Sequence, residues 1–159
     1  MTSKRLFALV SAGLWFGLDW ATKSWALATL AAGSQEITPF LNWSLAFNPG
    51  AAFSFLAAMG GWQRYFFLAI ALVISAYLLY SIYREKLSWP LAIGYGGIIG
   101  GALGNAYDRL AHGHVIDFID FHWGNAHYPT FNVADIGICL GVGLLLLTSL
   151  KPKTEKGHG

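Results

Sequence analysis

The sequence predicts a mainly α-helical membrane protein: a bundle of four transmembrane helices with a small extracytoplasmic β element and an interfacial loop. Of its 159 residues, 55% are hydrophobic and only 11% are charged, whereas soluble domains average about 25% charged residues. Four apolar stretches are long enough to cross a hydrocarbon core of roughly 30 Å, which takes about 20 helical residues. A chain of this length has room for one domain, predicted here as residues 1–159.

The four predicted spans lie at about 6–30, 62–83, 89–107 and 132–150. The first is not read as a secretory signal peptide, because no small-x-small cleavage site precedes a polar mature region and more spans follow. The third is rich in glycine, and small residues let membrane helices approach each other closely. We therefore expect the third helix to lie at the centre of the bundle.

The positions of the basic residues predict the orientation of the bundle. Seven of the ten Lys and Arg residues fall at the N-terminus, between the second and third spans, or at the C-terminus: Lys4, Arg5, Arg84, Lys86, Lys151, Lys153 and Lys156. Cytoplasmic segments of membrane proteins carry an excess of these residues. Both termini are therefore predicted to be cytoplasmic.

The two segments predicted on the outer side, 34–61 and 110–130, are rich in aromatic residues and alternate in polarity. This pattern is typical of short strands, and the aromatic side chains suit a membrane interface. Within the first segment, Pro49 and Gly50 indicate a turn. Residues 47–61 are expected either to close over a substrate as a lid or to form a fixed interfacial loop.

Polar residues in three of the spans are predicted to lie at one depth. With a rise of 1.5 Å per residue, Asp19, Asn105 and Asp135 lie roughly 20–24 Å from the cytoplasmic ends of their helices. Acids inside a membrane are costly and usually functional. The sequence therefore predicts a shared polar cavity near the outer face.

Neighbouring polar residues share helix faces with these three. Lys23 follows Asp19 by four positions, and Asp108 and Arg109 follow Asn105 by three and four. Three simpler interpretations stay open. In the first, Asp19 and Lys23 form only an ion pair at a helix end. In the second, Arg109 only extends to lipid headgroups. In the third, Asn132, three residues before Asp135, is only a helix N-cap.

Two further acids lie in the second outer segment. Asp117 and Asp120 are separated by an odd number of residues, so in a strand their side chains point to opposite faces. One of the two is therefore expected to be structural.

Other functional classes lack their motifs. No zinc-binding spacing connects the histidines, so no metal site and no cofactor are predicted. Cys139 is the single cysteine and is expected to be an inert packing residue. No Gly-x-Ser-x-Gly motif is present. The net charge of +2, without a basic patch, argues against nucleic-acid binding.

Five segments resemble the lipoprotein signal peptidases, also called signal peptidase II, of the aspartic peptidase family A8. They run in the family's order over nearly the whole chain: Asp19–Lys23, Asn48–Phe53, Gly100–Arg109, Val115–Phe118 and Phe131–Asp135. One departure is Trp20, where the family often has Gln.

The resemblance implies roles for specific residues. It implies that Asp117 and Asp135 are the catalytic pair. The positions that it implies for substrate binding or support are Asp19, Lys23, Asn48, Gly50, Asn105, Asp108, Arg109, Asn132 and Ala134.

The resemblance also implies the reaction and its place. The substrate would be a bacterial prolipoprotein whose lipobox cysteine carries a diacylglyceryl group, cut just before that cysteine. The other expected partners are membrane lipids and globomycin-type inhibitors, and the protein is expected to be a monomer. Its place would be the bacterial cytoplasmic (inner) membrane, with the active site near the periplasmic face.

Three other functions remain as alternatives. A small transporter or proton relay also carries buried polar groups, but the cytoplasmic halves of the spans lack ionisable residues. A presenilin-type protease needs a Gly-x-Gly-Asp motif that the chain lacks. A non-catalytic lipid-binding protein would tolerate the change Asp117→Asn.

Overall fold

The computed structural model describes residues 2–50 and 61–150, which form four helices and a small antiparallel sheet. In chain order these are α1 (Ser3–Thr29), β1 (Gln35–Thr38), β2 (Leu41–Asn48), α2 (Gln63–Arg84), α3 (Trp89–Ala111), β3 (Val115–Trp123), β4 (Ala126–His127) and α4 (Val133–Ser149). The predicted mainly helical class with a small β element is confirmed for these residues. Most of the predicted lid, residues 47–61, falls outside the described residues and stays a prediction.

The helices follow the predicted spans closely, with one difference at the end of α3. The sequence predicts an end near Tyr107, where charged residues begin, but the helix continues to Ala111 and includes Asp108 and Arg109. It ends just before Gly113, which has a φ of +80°, a conformation that glycine adopts without steric cost. Polar side chains end the apolar run here without ending the helix.

Among the described helices, only α2 is both long enough and apolar enough to cross a membrane, judged by length and composition alone. Helix α4 is apolar but shorter, with 17 residues. Charged residues in α1 and glycines in α3 lower the mean hydropathy of those helices. The four predicted spans therefore correspond to four helices, one of which has the hydropathy of an independent span.

Helix α3 packs against each of the other three helices, as its glycines predict. A Cβ atom on Gly96 would lie 2.7 Å from the side chain of Ser11 in α1. A Cβ atom on Gly97 would lie 2.6 Å from the carbonyl oxygen of Gly137 in α4. These positions bring helix backbones into direct contact, so any larger side chain would force the helices apart.

The four strands form one antiparallel sheet in the order β1-β2-β3-β4. Strand β2 pairs with β3, with Ala46 opposite Asp117, and the register shifts between Trp43 and Ala46. Phe118 and Ile119 of β3 pack with Ala26 and other apolar side chains at the end of α1. The sheet therefore covers the end of the bundle where α1 and α3 finish and α4 begins.

The prediction that Cys139 is a packing residue is wrong, because its side chain is exposed on α4. Helix α4 is apolar on all sides, so its sequence does not reveal which face packs inward. Gly137 and Gly141 mark the face that contacts α3, and Cys139 lies between them in sequence on a different face.

Candidate active site

Polar side chains from α1, β2, α3, β3 and α4 meet beneath the sheet. Asp117 of β3 is 2% exposed, and both of its carboxylate oxygens accept hydrogen bonds. Asn132 donates from Nδ2 to Oδ1 at 2.6 Å, and Asn48 donates from Nδ2 to Oδ2 at 3.1 Å. Two amides thus hold this carboxylate at a fixed orientation.

Asp135 lies in the first turn of α4 and is held by a capping box. Its backbone N–H donates to Asn132 Oδ1 at 2.9 Å, and the backbone N–H of Asn132 donates to Asp135 Oδ2 at 3.3 Å. Asn105 of α3 donates from Nδ2 to Asp135 Oδ1 at 2.9 Å. A carboxylate is stabilised here, since a helix N-terminus carries partial positive charge.

Asn132 connects the two carboxylates and is more than an N-cap. Its Oδ1 caps α4, while its Nδ2 lies within hydrogen-bonding distance of Asp117, of Asn105 Oδ1 at 3.2 Å and of the Ile116 carbonyl oxygen at 3.3 Å. The residue is fully buried. The N-cap-only interpretation is therefore wrong, and Asp117 and Asp135, hereafter the carboxylate pair, are joined through one amide.

Lys23 lies at the centre of a second group, hereafter the lysine cluster, with Asp19 and Asp108. Its ammonium is 2.7 Å from Asp19 Oδ2 and 2.8 Å from Asp108 Oδ2, and it donates to Asn105 Oδ1 at 2.9 Å. All three charged side chains are buried. Asp19 and Lys23 are therefore more than an ion pair at a helix end.

The lysine cluster also holds the backbone next to the carboxylate pair. Asp19 Oδ1 accepts a hydrogen bond from the Ala134 N–H at 2.8 Å, just before Asp135. Asp108 Oδ2 accepts one from the Ile116 N–H at 3.0 Å, just before Asp117. Each acid of the cluster thus positions the segment that carries one member of the pair.

The same cluster sets the orientation of the Asn105 amide. Because Lys23 can only donate hydrogen bonds, the Asn105 atom that faces it must be the oxygen. The Nδ2 group then faces Asp135. A flipped amide would place two donors against each other at Lys23 and two acceptors against each other at Asp135.

Arg109 lies between α3 and α2 and does not simply extend outward. Its guanidinium lies 5.2 Å from the centre of the Phe67 ring, and its Nη1 donates to the Asn105 carbonyl oxygen at 3.1 Å. It interacts electrostatically with Asp135 and Asp117. The guanidinium therefore contributes positive charge beside the carboxylate pair.

Gly50 and Ala134 contribute through their backbones. Ala134 does so through the N–H that Asp19 accepts. Gly50 has a φ of +107° and donates from its N–H to Asn48 Oδ1 at 2.9 Å, which turns the Asn48 Nδ2 group toward Asp117. A Cβ atom on Gly50 would lie 2.7 Å from the ring of Phe67. These observations give a physical reason for glycine at this position.

Burial, and after it the negative charge of Asp135, raise the pKa of Asp117 to about 6. Hydrogen bonds from Asn48 and Asn132 and the charge of Lys23 act in the opposite direction. Desolvation and a nearby like charge both favour the protonated form. The surroundings of the Asp117 carboxyl therefore favour its protonated form.

Asp120 points away from this site, as the strand geometry predicts. Its Oδ1 lies 2.8 Å from Nδ1 of His127, and its Oδ2 accepts a hydrogen bond of 3.4 Å from Asn42. It therefore connects neighbouring strands. Within residues 2–50 and 61–150, no group of three or more His, Cys, Asp or Glu side chains is arranged to hold a metal ion.

Sequence reasoning missed two parts of the site. Phe67 lies under Arg109 but belongs to an apolar helix, where its identity gives no signal. Ile116 acts through its N–H and carbonyl groups, which no side-chain pattern reveals. Trp20, the departure from the family pattern, is half exposed and lines a cleft of about 210 Å³ between α1 and α3 that also includes Lys23 and Asp108.

A family described as Signal peptidase (SPase) II has a sequence model that matches residues 11–151. Three relatives, each named lipoprotein signal peptidase, resemble most of the chain. The one from Serratia proteamaculans is 54% identical over 147 residues, covering 89% of this chain and 87% of its own. The one from Polynucleobacter necessarius is 47% identical over 140 residues, covering 87% and 86%. The one from Dichelobacter nodosus is 43% identical over 144 residues, covering 91% and 93%.

Two solved structures, each described as a bacterial membrane enzyme studied by the in meso method, have the same fold. Both match with a TM-score of 0.79 at 30% identity. The first match covers 96% of this chain and 92% of the other, and the second covers 92% and 94%. The helices and the small sheet thus share the architecture of a bacterial membrane enzyme.

Proposed function

This chain belongs to the signal peptidase II family of aspartic peptidases, and we propose that Asp117 and Asp135 activate the water that cleaves its substrate. The substrate is a bacterial prolipoprotein that already carries a diacylglyceryl group on its lipobox cysteine, and cleavage occurs just before that cysteine. The observation that carries this proposal is the carboxylate pair, with Asp117 buried and both residues joined through Asn132. No acyl-enzyme intermediate is required.

In the proposed reaction the pair holds one proton, because two close carboxylates resist joint ionisation. Asp117 carries this proton, as its raised pKa favours, and Asp135 is the base at the N-terminus of α4. Asp135 takes a proton from water as the oxygen attacks the scissile carbonyl, while Asp117 gives its proton to the carbonyl oxygen. Both groups thus act as general acid and base on one tetrahedral intermediate.

Collapse of the intermediate restores the starting state. Asp135 passes its proton to the leaving amide nitrogen, while a hydroxyl group of the intermediate returns a proton to Asp117. The carbon–nitrogen bond then breaks, and the products are a carboxylic acid on the signal peptide and a free amine on the lipidated cysteine. Arg109 and Lys23 offset the negative charge of the site throughout.

Apolar cavities on two sides of the site suit a lipid-anchored peptide. One cavity of about 200 Å³ lies among α2, α3 and α4 and reaches Asn105 and Arg109. Another of about 270 Å³ lies along α4 and includes Asp135 and Cys139. Apolar segments of the substrate bound beside these polar groups would bring the scissile bond to the carboxylate pair.

The proposed topology places all four helices across the bacterial inner membrane, with both termini in the cytoplasm. Large apolar side chains are exposed on the outer faces of the helices, including Leu14 at 69%, Val73 at 68% and Leu147 at 64%. A lipid environment would cover them. The sheet and the carboxylate pair then lie near the periplasmic face, where a lipidated cysteine is presented.

The deciding experiment uses purified protein and two forms of one prolipoprotein, with and without the diacylglyceryl group. We expect cleavage of the lipidated form before its cysteine, seen as a mass loss equal to the signal peptide, and inhibition by a globomycin-type compound. Equal cleavage of both forms would contradict the substrate assignment. No cleavage of either form, from protein that retains its fold, would favour the lipid-binding or proton-relay alternatives.

A further inference from the structure

A basic pocket lies at the end of the bundle opposite the carboxylate pair. It has a volume of about 370 Å³ and lies where α1 begins and α2 leads into α3. Its lining includes the cations Lys4, Arg5 and Lys86 and one acid, Glu85. Among the described residues, no carboxylate oxygen lies within 4 Å of these three cations. The pocket therefore concentrates positive charge that the described part of the chain does not neutralise.

The start of α1 adds further positive potential. Helix α1 has no acidic residue in its first turn, and its N-cap Thr2 makes no side-chain capping bond. The first N–H groups of a helix have no partner within the helix, and they carry partial positive charge. The backbone of Ser3 and Lys4 thus offers hydrogen-bond donors to an anion bound beside the lysine side chains.

Two contacts give this pocket a defined shape. Arg5 donates from Nη2 to the Tyr83 carbonyl oxygen at 2.6 Å, which ties the start of α1 to the end of α2. Glu85 accepts a hydrogen bond of 3.2 Å from the Tyr95 hydroxyl group of α3. The acid that lines the pocket is therefore already engaged by α3, while the ammonium groups of Lys4 and Lys86 remain available.

Aromatic and aliphatic side chains flank the pocket at the level of a membrane interface. Phe7 packs edge-on against Trp89 with ring centres 5.5 Å apart, and Trp89 is 48% exposed. Leu6 and Val10, just beyond the pocket on α1, are about half exposed. Tryptophan is enriched at membrane interfaces, and the exposed aliphatic side chains suit acyl chains that run along α1.

We propose that this pocket binds an anionic phospholipid. The phosphate lies against Lys4, Lys86 and the first N–H groups of α1, and the acyl chains lie along Leu6 and Val10. Basic pockets between membrane helices on the cytoplasmic side bind anionic headgroups, whereas the ammonium group of a zwitterionic headgroup is repelled by the same lysines. The inference rests on the proposed membrane topology but not on the proposed chemistry, which lies at the other end of the bundle.

The test is native mass spectrometry of the protein in neutral detergent, titrated with phosphatidylglycerol or phosphatidylcholine. We expect a saturable complex with one phosphatidylglycerol that is at least fivefold tighter than that with phosphatidylcholine, since each nearby lysine contributes about fivefold. Lys4→Gln and Lys86→Gln should each weaken phosphatidylglycerol binding by about this factor. The charge-retaining variants Lys4→Arg and Lys86→Arg should bind as the wild type does.

Arg64→Gln is the matched control, because Arg64 is an exposed cation at the other end of α2. Equal losses of lipid binding in the control and in the lysine variants would overturn the proposal, as would equal binding of both lipids by the wild type. The thermal unfolding temperature separates a lipid from a free anion. If inorganic phosphate alone raised it as much as phosphatidylglycerol does, the pocket would be assigned to a free anion instead. Prolipoprotein cleavage in phosphatidylcholine should be unchanged in both lysine variants, which separates this test from that of the proposed function.

Discussion

The two halves of the bundle are held together by opposite kinds of contact. At the sheet end, α1, α3 and α4 are joined by buried charges and amides, with Lys23 and Asn105 at the centre. Toward the other end, the same three helices meet through glycines whose backbones touch, such as Gly97 against Gly137. The same helices thus carry a polar site and a close-packed support.

This difference separates function from stability along the bundle. Buried ion pairs carry a desolvation cost that their attraction does not reliably offset. The polar contacts at the sheet end are therefore a weak source of net stability for the bundle. Close packing of small residues stabilises membrane helices without such a cost. We infer that the polar end is retained for chemistry and that the glycine contacts keep its geometry rigid.

The largest expected effect is loss of cleavage on neutralising either member of the carboxylate pair. Asp117→Asn and Asp135→Asn should each lower the cleavage rate by at least about 10²-fold, because general acid–base catalysis supplies about this factor. Both variants should keep the wild-type fold, which circular dichroism checks. Activity above about a tenth of wild type in either folded variant would contradict the role of the pair.

Breaking the lysine cluster should lower both the stability of the fold and the rate of cleavage. Lys23→Met leaves Asp19 and Asp108 buried without a counter-charge, which should lower the free energy of unfolding by about 3–5 kcal/mol. It also removes the donor that orients Asn105, so cleavage should fall as well. Thermal unfolding in detergent and a cleavage assay measure the two effects.

A triple variant separates these two effects. Asp19→Asn/Lys23→Met/Asp108→Asn removes the unpaired charges together, and an asparagine at position 19 can still accept the Ala134 N–H. We expect stability to recover relative to Lys23→Met while cleavage stays low. Full recovery of cleavage would show that the cluster acts only on stability.

The next largest effect concerns how stability depends on pH. The folded-state pKa of Asp117 is about 6, against 3.8 for the unperturbed carboxyl. Between these values the folded protein binds more protons than the unfolded chain, so this group lowers the free energy of unfolding as pH rises. The loss is complete above about pH 7 and amounts to about 3 kcal/mol at most.

Asp117→Asn lacks this loss because the amide does not titrate. We therefore expect the stability of the variant, relative to wild type, to increase from pH 4 to pH 7 in thermal unfolding experiments. A difference that stays constant over this range would mean that Asp117 titrates as an ordinary exposed acid. Such a result would also remove the reason to assign the shared proton to Asp117.

The sequence carried enough information to predict the four helices and the polar side chains that meet between them, for a physical reason. Polar and charged residues are rare in apolar segments, so Asp19, Asn105 and Asp135 stand out, and a constant helical rise places them at one depth. The resemblance selected Asp117 over Asp120 and added Asn48, and both lie on strands, where depth cannot be derived from helical spacing. In the structure, Asp117 accepts hydrogen bonds from both Asn48 and Asn132.

The parts that could not be predicted depend on contacts that side-chain identity does not determine. The exposed position of Cys139 depends on which face of an all-apolar helix packs inward. The end of α3 depends on Gly113 and not on the first charged residue. The bridging role of Asn132 depends on the distance between β3 and α4, which only the folded sheet sets.

The smallest expected effect tests the glycine half of the comparison with two positions on one helix. A Cβ atom on Gly141 would lie 2.5 Å from the Gly94 carbonyl oxygen and 2.6 Å from the Ile98 side chain, whereas one on Gly143 would have no neighbour within 4 Å. Gly141→Ala should therefore lower the free energy of unfolding by about 1–3 kcal/mol, the usual cost of overpacking. Gly143→Ala should be neutral or slightly stabilising, because alanine restricts the unfolded chain. Thermal unfolding of both variants in one detergent measures the difference. Equal stability of the two variants would mean that α3 and α4 separate without cost. The polar contacts of the carboxylate pair and the lysine cluster alone would then hold the helices together.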